Sequence, residues 1–469
     1  MSDPGTAARP LRVAIVGAGP AGFYVAEHLL RRADLVVDVD LFDRLPTPYG
    51  LVRAGVAPDH QKIKAVTAAF DKIAGHPRFR FFGGVELGKH VNVADLRAHY
   101  HQIVYTTGAQ TDRRMGIDGE DLPGSHPATE FVAWYNGHPD YRDLQFDLTQ
   151  ERVAVVGVGN VAIDVARILS RTPEELEKTD IAEHALEALR ASRVREVYLL
   201  GRRGAAQAAF TNPEIKELGE LAAADVVVKP AEVELDELSR ASLEKSGDRA
   251  GLKKVEILQS YAQRPAGTRP RKLVIRFLVS PVALLERDGA VGGIRLVRNL
   301  LVASETGTIQ AKATDQFEEL PVGLVFRSVG YRGVPLPGVP FDDKWGVVLN
   351  EKGRVLDPDT GEARRGEYTA GWIKRGATGV IGTNKVDAAE TVQAMADDLA
   401  AGHTLAPTEP DPDTLEQLIH QRQPQYVSYA DWLKLNEVEL ARGRERGRPR
   451  LKFTRVDEML AALGNRGPR

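Results

Sequence analysis

Two stretches of this chain repeat one hydrophobic pattern: a short unbroken apolar run, a glycine-rich turn, then apolar positions at helical spacing. They read VAIVGAGPAGFYVAEHLL from Val13 and VAVVGVGNVAIDVARIL from Val153. Unbroken runs such as Val13–Val16 and Val153–Val156 are what strands covered on both faces require. After the first helix, VVDVDLFDR alternates with period 2 and predicts a strand closing at Asp43, and HQIVYTTGA predicts another. Beyond the second helix, EVYLLG, ADVVVKPAEV, LVIRFLVSP, GIRLVRNLLV and LVFRSVGY read as further β-type runs. The segment RGEYTAGWIKRGATGVIGTNKVDAAETVQAMADDL then gives a strand, a glycine-rich turn and a long helix. Strands alternating with helices in this way predict an α/β protein with two Rossmann-like, three-layer dinucleotide-binding domains.

Residues 1–110 form the first part of one domain, and a turn-rich crossing (GEDLPG, NGHPD) leads into a second. The second, 111–332, is inserted into the first, which residues 333–469 complete. The stretch Pro173–Ala191 reads as a solvated helical connector, RPAGTRPRK as a basic loop, and the residues from Pro407 as a mostly helical tail carrying ARGRERGRPRLK.

The glycine spacing gives the turns their chemistry. Gly17, Gly19 and Gly22 form GxGxxG, and Gly157 and Gly159 are followed by Ala162 in the third position. The first glycine turns the chain sharply off the strand, and the second lets backbone approach a pyrophosphate. The third position must be small for the helix to pack, and the helix N-terminus then faces the anion. An acid at the end of the next strand normally takes the ribose hydroxyls; Asp43 is the choice over Asp38 and Asp40. The corresponding strand of the second motif ends in Arg202 and Arg203 instead. Guanidinium forks suit a 2′-phosphate, so this site is expected to prefer NADP(H) over NAD(H).

Composition narrows the class. The chain of 469 residues is 43% hydrophobic and 27% charged, as soluble globular proteins are. Its net charge of −3 gives no general attraction to nucleic acid. No apolar stretch reaches membrane-spanning length, and MSDPGTAARP carries no apolar signal region, so the expected location is cytoplasmic. With no cysteine, the chain has no disulfide, no thiolate-held iron–sulfur cluster and no dithiol relay between flavin and acceptor. No metal site is expected.

Taken in order, GAGPAG (17–22), LPTPYGLVRAGVAPDHQKIK (45–64), GVGNVAIDVARIL (157–169), GRRG (201–204), AAFTNPEIKEL (208–218), SVGYRG (328–333) and GWIKRGATGVIGTNK (371–385) resemble the adrenodoxin-reductase family. That family includes bacterial NADPH–ferredoxin reductases. The resemblance covers nearly everything up to Leu399. It implies an FAD enzyme that takes a hydride from NADPH and gives single electrons to a ferredoxin-type iron–sulfur protein. FAD then belongs to the outer domain, with Gly17, Gly19, Ala21 and Gly22 along its pyrophosphate and Asp43 on its ribose. Leu51 and Val85 stand where the family contacts the flavin nucleotide, and Trp372, Gly379, Val380 and Ile381 where it surrounds the isoalloxazine. The resemblance also implies that Gly159, Asn160 and Val161 hold the NADP pyrophosphate, beside Gly157, and that Arg202 and Arg203 hold its 2′-phosphate. Glu214 stands where the family places an acid near the nicotinamide, and Gly379 where it also touches NADP. Most two-dinucleotide flavoenzymes have Gly-Asp where this chain has Gly371-Trp372, a departure this family shares.

Hydride transfer asks the protein to stack two rings and set the electrostatics rather than to supply an acid or base. The turn Gly376–Gly382 ahead of a helix beginning near Asn384 is suited to stabilising negative charge on a reduced flavin edge. His60 and Glu214 are the titratable candidates for tuning protonation as electrons leave. Lys374 and Arg375 are either solvated or near phosphate. An acidic ferredoxin would be steered by a basic face; candidates are Arg264, Arg269, Arg271 and Lys272, and Arg442, Arg444, Arg446, Arg448 and Arg450. Charge runs of this kind are equally well solvated surface. The alternatives are a flavin-dependent small-molecule reductase or monooxygenase, and an electron-input subunit of a larger complex.

Overall fold

The computed structural model describes residues 4–265 and 267–464. Residues 1–3, 266 and 465–469, which the sequence reading assigned to the N-terminal segment, the basic loop and the tail, lie outside the described residues. The described residues fall into two compact units, one within Met1–Val56, His60–Thr111 and Tyr331–Arg469, the other within Ala57–Asp59 and Asp112–Gly330.

The first unit is built on a seven-stranded sheet. Across it lie Asn350–Glu351, Arg354–Leu356, Ala363–Thr369, Gln102–Tyr105, Leu11–Val16, Val37–Asp43 and Phe79–Gly83. From Ala363–Thr369 onward these strands are parallel. The unbroken apolar run does what the pattern requires: Val13 and Ile15 enter one core while Ala14 and Val16 enter another on the opposite face. The chain leaves this sheet after Gln102–Tyr105 and returns to it as Ala363–Thr369, in parallel register with the strand it left. The helical tail packs on the same unit, placing Trp432, Leu435, Phe453 and Met459 in the core around Phe23 and Phe70.

In the second unit a six-stranded parallel sheet runs in the order Ser125–Pro127, Leu324–Arg327, Arg152–Val156, Glu196–Leu200, Arg271–Arg276, Ala224–Val228. Helices cover one face, over Val153 and Val155. The other face, with Ala154 and Val156, is covered by a separate antiparallel sheet of Val279–Arg287, Ala290–Ala303 and Ile309–Leu320. Both units are thus α/β and Rossmann-like, but the third layer of the second is a β-meander.

Two expectations change here. LVIRFLVSP is not one strand: Leu278 stands in the left-handed region, φ 57°, and the chain passes from the parallel sheet into the meander at that point. Pro173–Ala191 is not a solvated connector either. Its helices Pro173–Leu176 and Glu183–Arg190 bury Leu176, Ala185, Leu186 and Leu189 in the core of the second unit. Among the described residues no helix is long and apolar enough to cross a membrane.

Candidate dinucleotide sites

The two glycine-rich turns share one geometry. Gly17 and Gly157 have φ of 113° and 128°, a region where a side chain is strained. A Cβ on Gly17 would lie 2.7 Å from the carbonyl oxygen of Thr106, and one on Gly157 would lie 2.1 Å from that of Ser328. In each unit the first glycine is therefore wedged against backbone following the neighbouring parallel strand. The middle glycines behave oppositely: a Cβ on Gly19 or Gly159 would meet nothing within 4 Å. Each is the N-cap of its helix, Pro20–Leu30 or Asn160–Ser170, and neither helix start is capped by a side chain. The first N–H groups of both helices are thus not taken by a side-chain cap, and they lie beside a face of open space that a pyrophosphate fits. The third positions close the packing: a Cβ on Gly22 would be 2.2 Å from the Gly17 carbonyl oxygen, and Ala162 is fully buried.

In the first unit, Asp43 closes its strand as expected and its carboxylate accepts from the main-chain N–H of Ala18 at 2.8 Å and Leu45 at 2.9 Å. It therefore fixes the fingerprint turn itself. Burial pushes the Asp43 carboxyl up, against those two donors. Val85 is buried, its N–H donating to the Asp43 carbonyl, while Leu51 is exposed at the start of Leu51–Ala54. His60 is buried at the N-terminus of Gln61–Lys64.

Gly371, φ 81°, presses against the first fingerprint helix: a Cβ there would lie 2.5 Å from that of Ala21. Its N–H donates to Asp387 at 2.5 Å. Trp372 follows, and its indole N–H donates to the Thr378 carbonyl at 3.0 Å. Arg375 donates to that carbonyl and hydroxyl, and at 2.9 Å to Asn384. The loop is thus held from inside, with Gly379 at φ 77°, Val380 exposed, and Ile381 packed against the core. The helix after it starts at Thr383, one residue before the expected start. Lys374 is buried and paired with Asp387 at 3.1 Å and Glu390 at 2.6 Å. Neither basic residue is free in solvent.

The tail reaches the LPTPYGLVRAGVAPDHQKIK segment of the same unit. Tyr49 has φ 82° although it is not glycine. Its hydroxyl is held by Asp71, by Tyr429 at 3.2 Å and by the Trp432 indole at 3.3 Å. Arg53 donates to both oxygens of the fully buried Glu439, at 2.8 and 2.5 Å, and lies over the Trp432 ring. Burial alone would raise the Glu439 carboxyl, but Arg53 and Arg450 hold it below its ordinary range.

In the second unit, the Asn160 side chain accepts from the Thr211 N–H at 2.9 Å, joining the fingerprint helix to the AAFTNPEIKEL segment, and Val161 is partly buried beside it. Glu214 is buried on the Asn212–Leu218 helix and meets Arg167 at 3.2 Å. Arg167 is completely buried and also binds Asp164 at 2.6 Å and Asp59 at 2.8 Å. Burial would lower its pKa, but Asp164, Asp59 and Glu214 together raise it well above an ordinary guanidinium. Its local pair with Asp164 on the same helix does not mark Arg167 as the centre of a network, because Asp59 and Glu214 come from distant stretches.

Arg202 and Arg203 follow the Glu196–Leu200 strand, exposed and half-buried respectively. Among the described residues neither forms an ion pair with a carboxylate, whereas most arginines of this chain do. Burial and repulsion from Arg202 lower the Arg203 pKa. A bound dianion would reverse the second effect and repay the first. The basic runs, by contrast, are engaged locally. Arg269 donates to the carbonyls of Leu221 and Ala224, Arg271 to those of Arg171 and Ser170, and Arg264 lies over the Tyr261 ring. In the tail, Arg450 is bound to Glu439, Arg444 to Glu437, and Arg442 covers Phe453. Arg264, Arg269 and Lys272 of the first run, and Arg442, Arg444 and Arg446 of the second, are nonetheless exposed.

Residues 11–226 match the family described as pyridine nucleotide-disulphide oxidoreductase. A probable ferredoxin/ferredoxin–NADP reductase of Mycobacterium tuberculosis is 49% identical over 460 residues, covering 97% of this chain and 76% of that protein. The NADPH-ferredoxin reductase FprA of the same organism is 46% identical, covering 96% of this chain and 99% of its own. The mitochondrial NADPH:adrenodoxin oxidoreductase of Arabidopsis thaliana is 42% identical, with 97% and 96% covered. The solved structure of Mycobacterium tuberculosis FprA in complex with NADPH superimposes with a TM-score of 0.90 at 44% identity, covering 97% of this chain and 100% of that one.

Proposed function

The chain belongs to the family of NADPH–ferredoxin and adrenodoxin reductases, and from that premise we propose that it carries electrons from NADPH through FAD to a ferredoxin-type iron–sulfur protein in the cytoplasm. FAD, when bound, supplies the conversion of a two-electron hydride into electrons released singly. The chain's own part is to hold the two dinucleotides and exclude competing acceptors. The observation that carries this reading is the repeated fingerprint geometry, with Gly19 and Gly159 each open where the wedged Gly17 and Gly157 are not.

In the first unit, Gly17, Gly19, Ala21 and Gly22 line the flavin pyrophosphate, with Asp43 near the adenosine ribose, Leu51 and Val85 beside the nucleotide, and Trp372 and Gly379–Ile381 at the ring. In the second, Gly157, Gly159, Asn160 and Val161 hold the nicotinamide dinucleotide, and Arg202 and Arg203 select its 2′-phosphate. His60 and Glu214 are the titratable groups that hold a proton or a water in the reaction. Without cysteine no dithiol stands between flavin and acceptor. Heat-denaturing the purified protein is expected to release one FAD per chain, identified chromatographically; release of FMN, or of no flavin, contradicts the assignment of the first unit.

A further inference from the structure

The antiparallel meander covers one face of the second unit, and its contacts with the Arg202–Arg203 turn give it a second role. The Asn299 side-chain amide, in a buried position, donates to the Arg202 carbonyl at 2.8 Å and to the Ser280 hydroxyl at 2.8 Å. The Asn299 N–H donates to the Leu278 carbonyl at 2.7 Å, and the Leu278 N–H donates to the Arg203 carbonyl at 3.1 Å. Below the turn, the Gly201 N–H donates to the Arg276 carbonyl at 2.9 Å, and the Val279 N–H to the Gly201 carbonyl at 3.1 Å. Each carbonyl from Gly201 to Arg203 therefore has a donor from the segment 278–299. Leu278 is held at φ 57°, where a leucine is strained unless its surroundings fix it. The strand register shifts between Val297 and Asn299, a bulge that re-aims one side chain.

The geometry points to Asn299 as the positioning residue of the 2′-phosphate site: it fixes the main chain from which the two guanidinium groups project, and thereby sets the preference for NADPH over NADH. The physical reason is entropic as well as geometric. Two adjacent, mutually repelling arginines bind a phosphate well only when their main chain is prevented from rotating them apart. A packing residue at this position would need no donor, yet Asn299 uses its amide on the carbonyl of the first arginine. The inference rests on reading Arg202 and Arg203 as phosphate ligands, and it adds the residue that aims them.

The test compares Asn299→Ala, Asn299→Val, Ser280→Ala and the double variant Arg202→Ala/Arg203→Ala, using 2′,5′-ADP and 5′-AMP as probes. Valine suits a strand but donates nothing, so it is read as alanine is, should the latter fail to accumulate. Both Asn299 variants are expected to weaken 2′,5′-ADP binding about tenfold, as loss of a buried hydrogen bond allows, with 5′-AMP binding and FAD content unchanged. In NADPH-dependent ferricyanide reduction KM should rise while kcat holds, and the NADH reaction should be unaltered. Ser280→Ala, which removes only the partner inside the meander, should bind 2′,5′-ADP as the parent does. Parental 2′,5′-ADP binding in both Asn299 variants, with loss in the arginine double, overturns the positioning role and leaves the phosphate reading standing. Equal weakening by Ser280→Ala, or equal loss of 5′-AMP, also overturns it, because the meander then acts only through general packing. Tight 2′,5′-ADP binding by the arginine double removes the phosphate reading and this inference together.

Discussion

Replacing Arg167 with leucine is expected to destabilise the second unit by about 3–5 kcal/mol, because it leaves the buried Asp164 and Glu214 carboxylates without this guanidinium, while Asp59 keeps Arg171. The carboxylates of Asp59, Asp164 and Glu214 all lie within 3.2 Å of this one guanidinium, and its side chain is wholly buried. A unit of this size should lose roughly 10 °C in unfolding midpoint, measured calorimetrically. Arg167→Lys keeps the charge but not the fork that reaches four separate carboxylates, Asp59, Asp164, Glu214 and Glu217, so an intermediate loss is expected. Arg167→Leu should also raise KM for NADPH, because Glu214 loses the group that orients it. An unchanged midpoint in Arg167→Leu would show that the carboxylates find other partners.

Replacing Arg202 and Arg203 together with alanine should weaken NADPH binding by at least about 2 kcal/mol, since each removes charge-assisted hydrogen bonds to a phosphate. That corresponds to roughly 30-fold in affinity. The NADH reaction should hardly change, because its ribose carries no charge at that position. Steady-state kinetics with both coenzymes and ferricyanide, which needs no docked protein, separate the outcomes. Equal loss with both coenzymes would make the arginines structural, and a parental preference for NADH would contradict the reading outright.

The legible parts of this protein are those where the backbone conformation of a position restricts its residue type. Gly17 and Gly157 are forced by a positive φ and by a neighbouring carbonyl, so their spacing is readable without a structure. Asp43, Arg202 and Arg203 are found by their place at the end of the strand that follows each fingerprint helix. Asn299 is not, because its partner Arg202 lies 97 residues away and a lone asparagine within an apolar run has no local signature. The strand Ile309–Leu320 has no signature in the sequence because none of its residues is buried, which erases the alternation a half-covered strand normally shows. In Pro173–Ala191 the charged residues mask a helical period. Leu176, Ala182, Ala185, Leu186 and Leu189 form a narrow apolar stripe among acids, and the core takes only that stripe. Within the tail's basic run a charge count does not separate Arg450, which lies against the buried Glu439, from the exposed Arg442, Arg444 and Arg446.

Electron exit to an iron–sulfur protein is the central claim, and one measurement addresses it most directly. The purified protein, NADPH and a series of ferredoxin-type proteins would be mixed, and reduction of cytochrome c followed with and without each ferredoxin. The account predicts a rate that depends on NADPH, saturates with at least one ferredoxin, and falls to a small residue when ferredoxin is omitted. Cytochrome reduction indifferent to every ferredoxin, with NADPH consumption tracking an added organic substrate or oxygen instead, would contradict it.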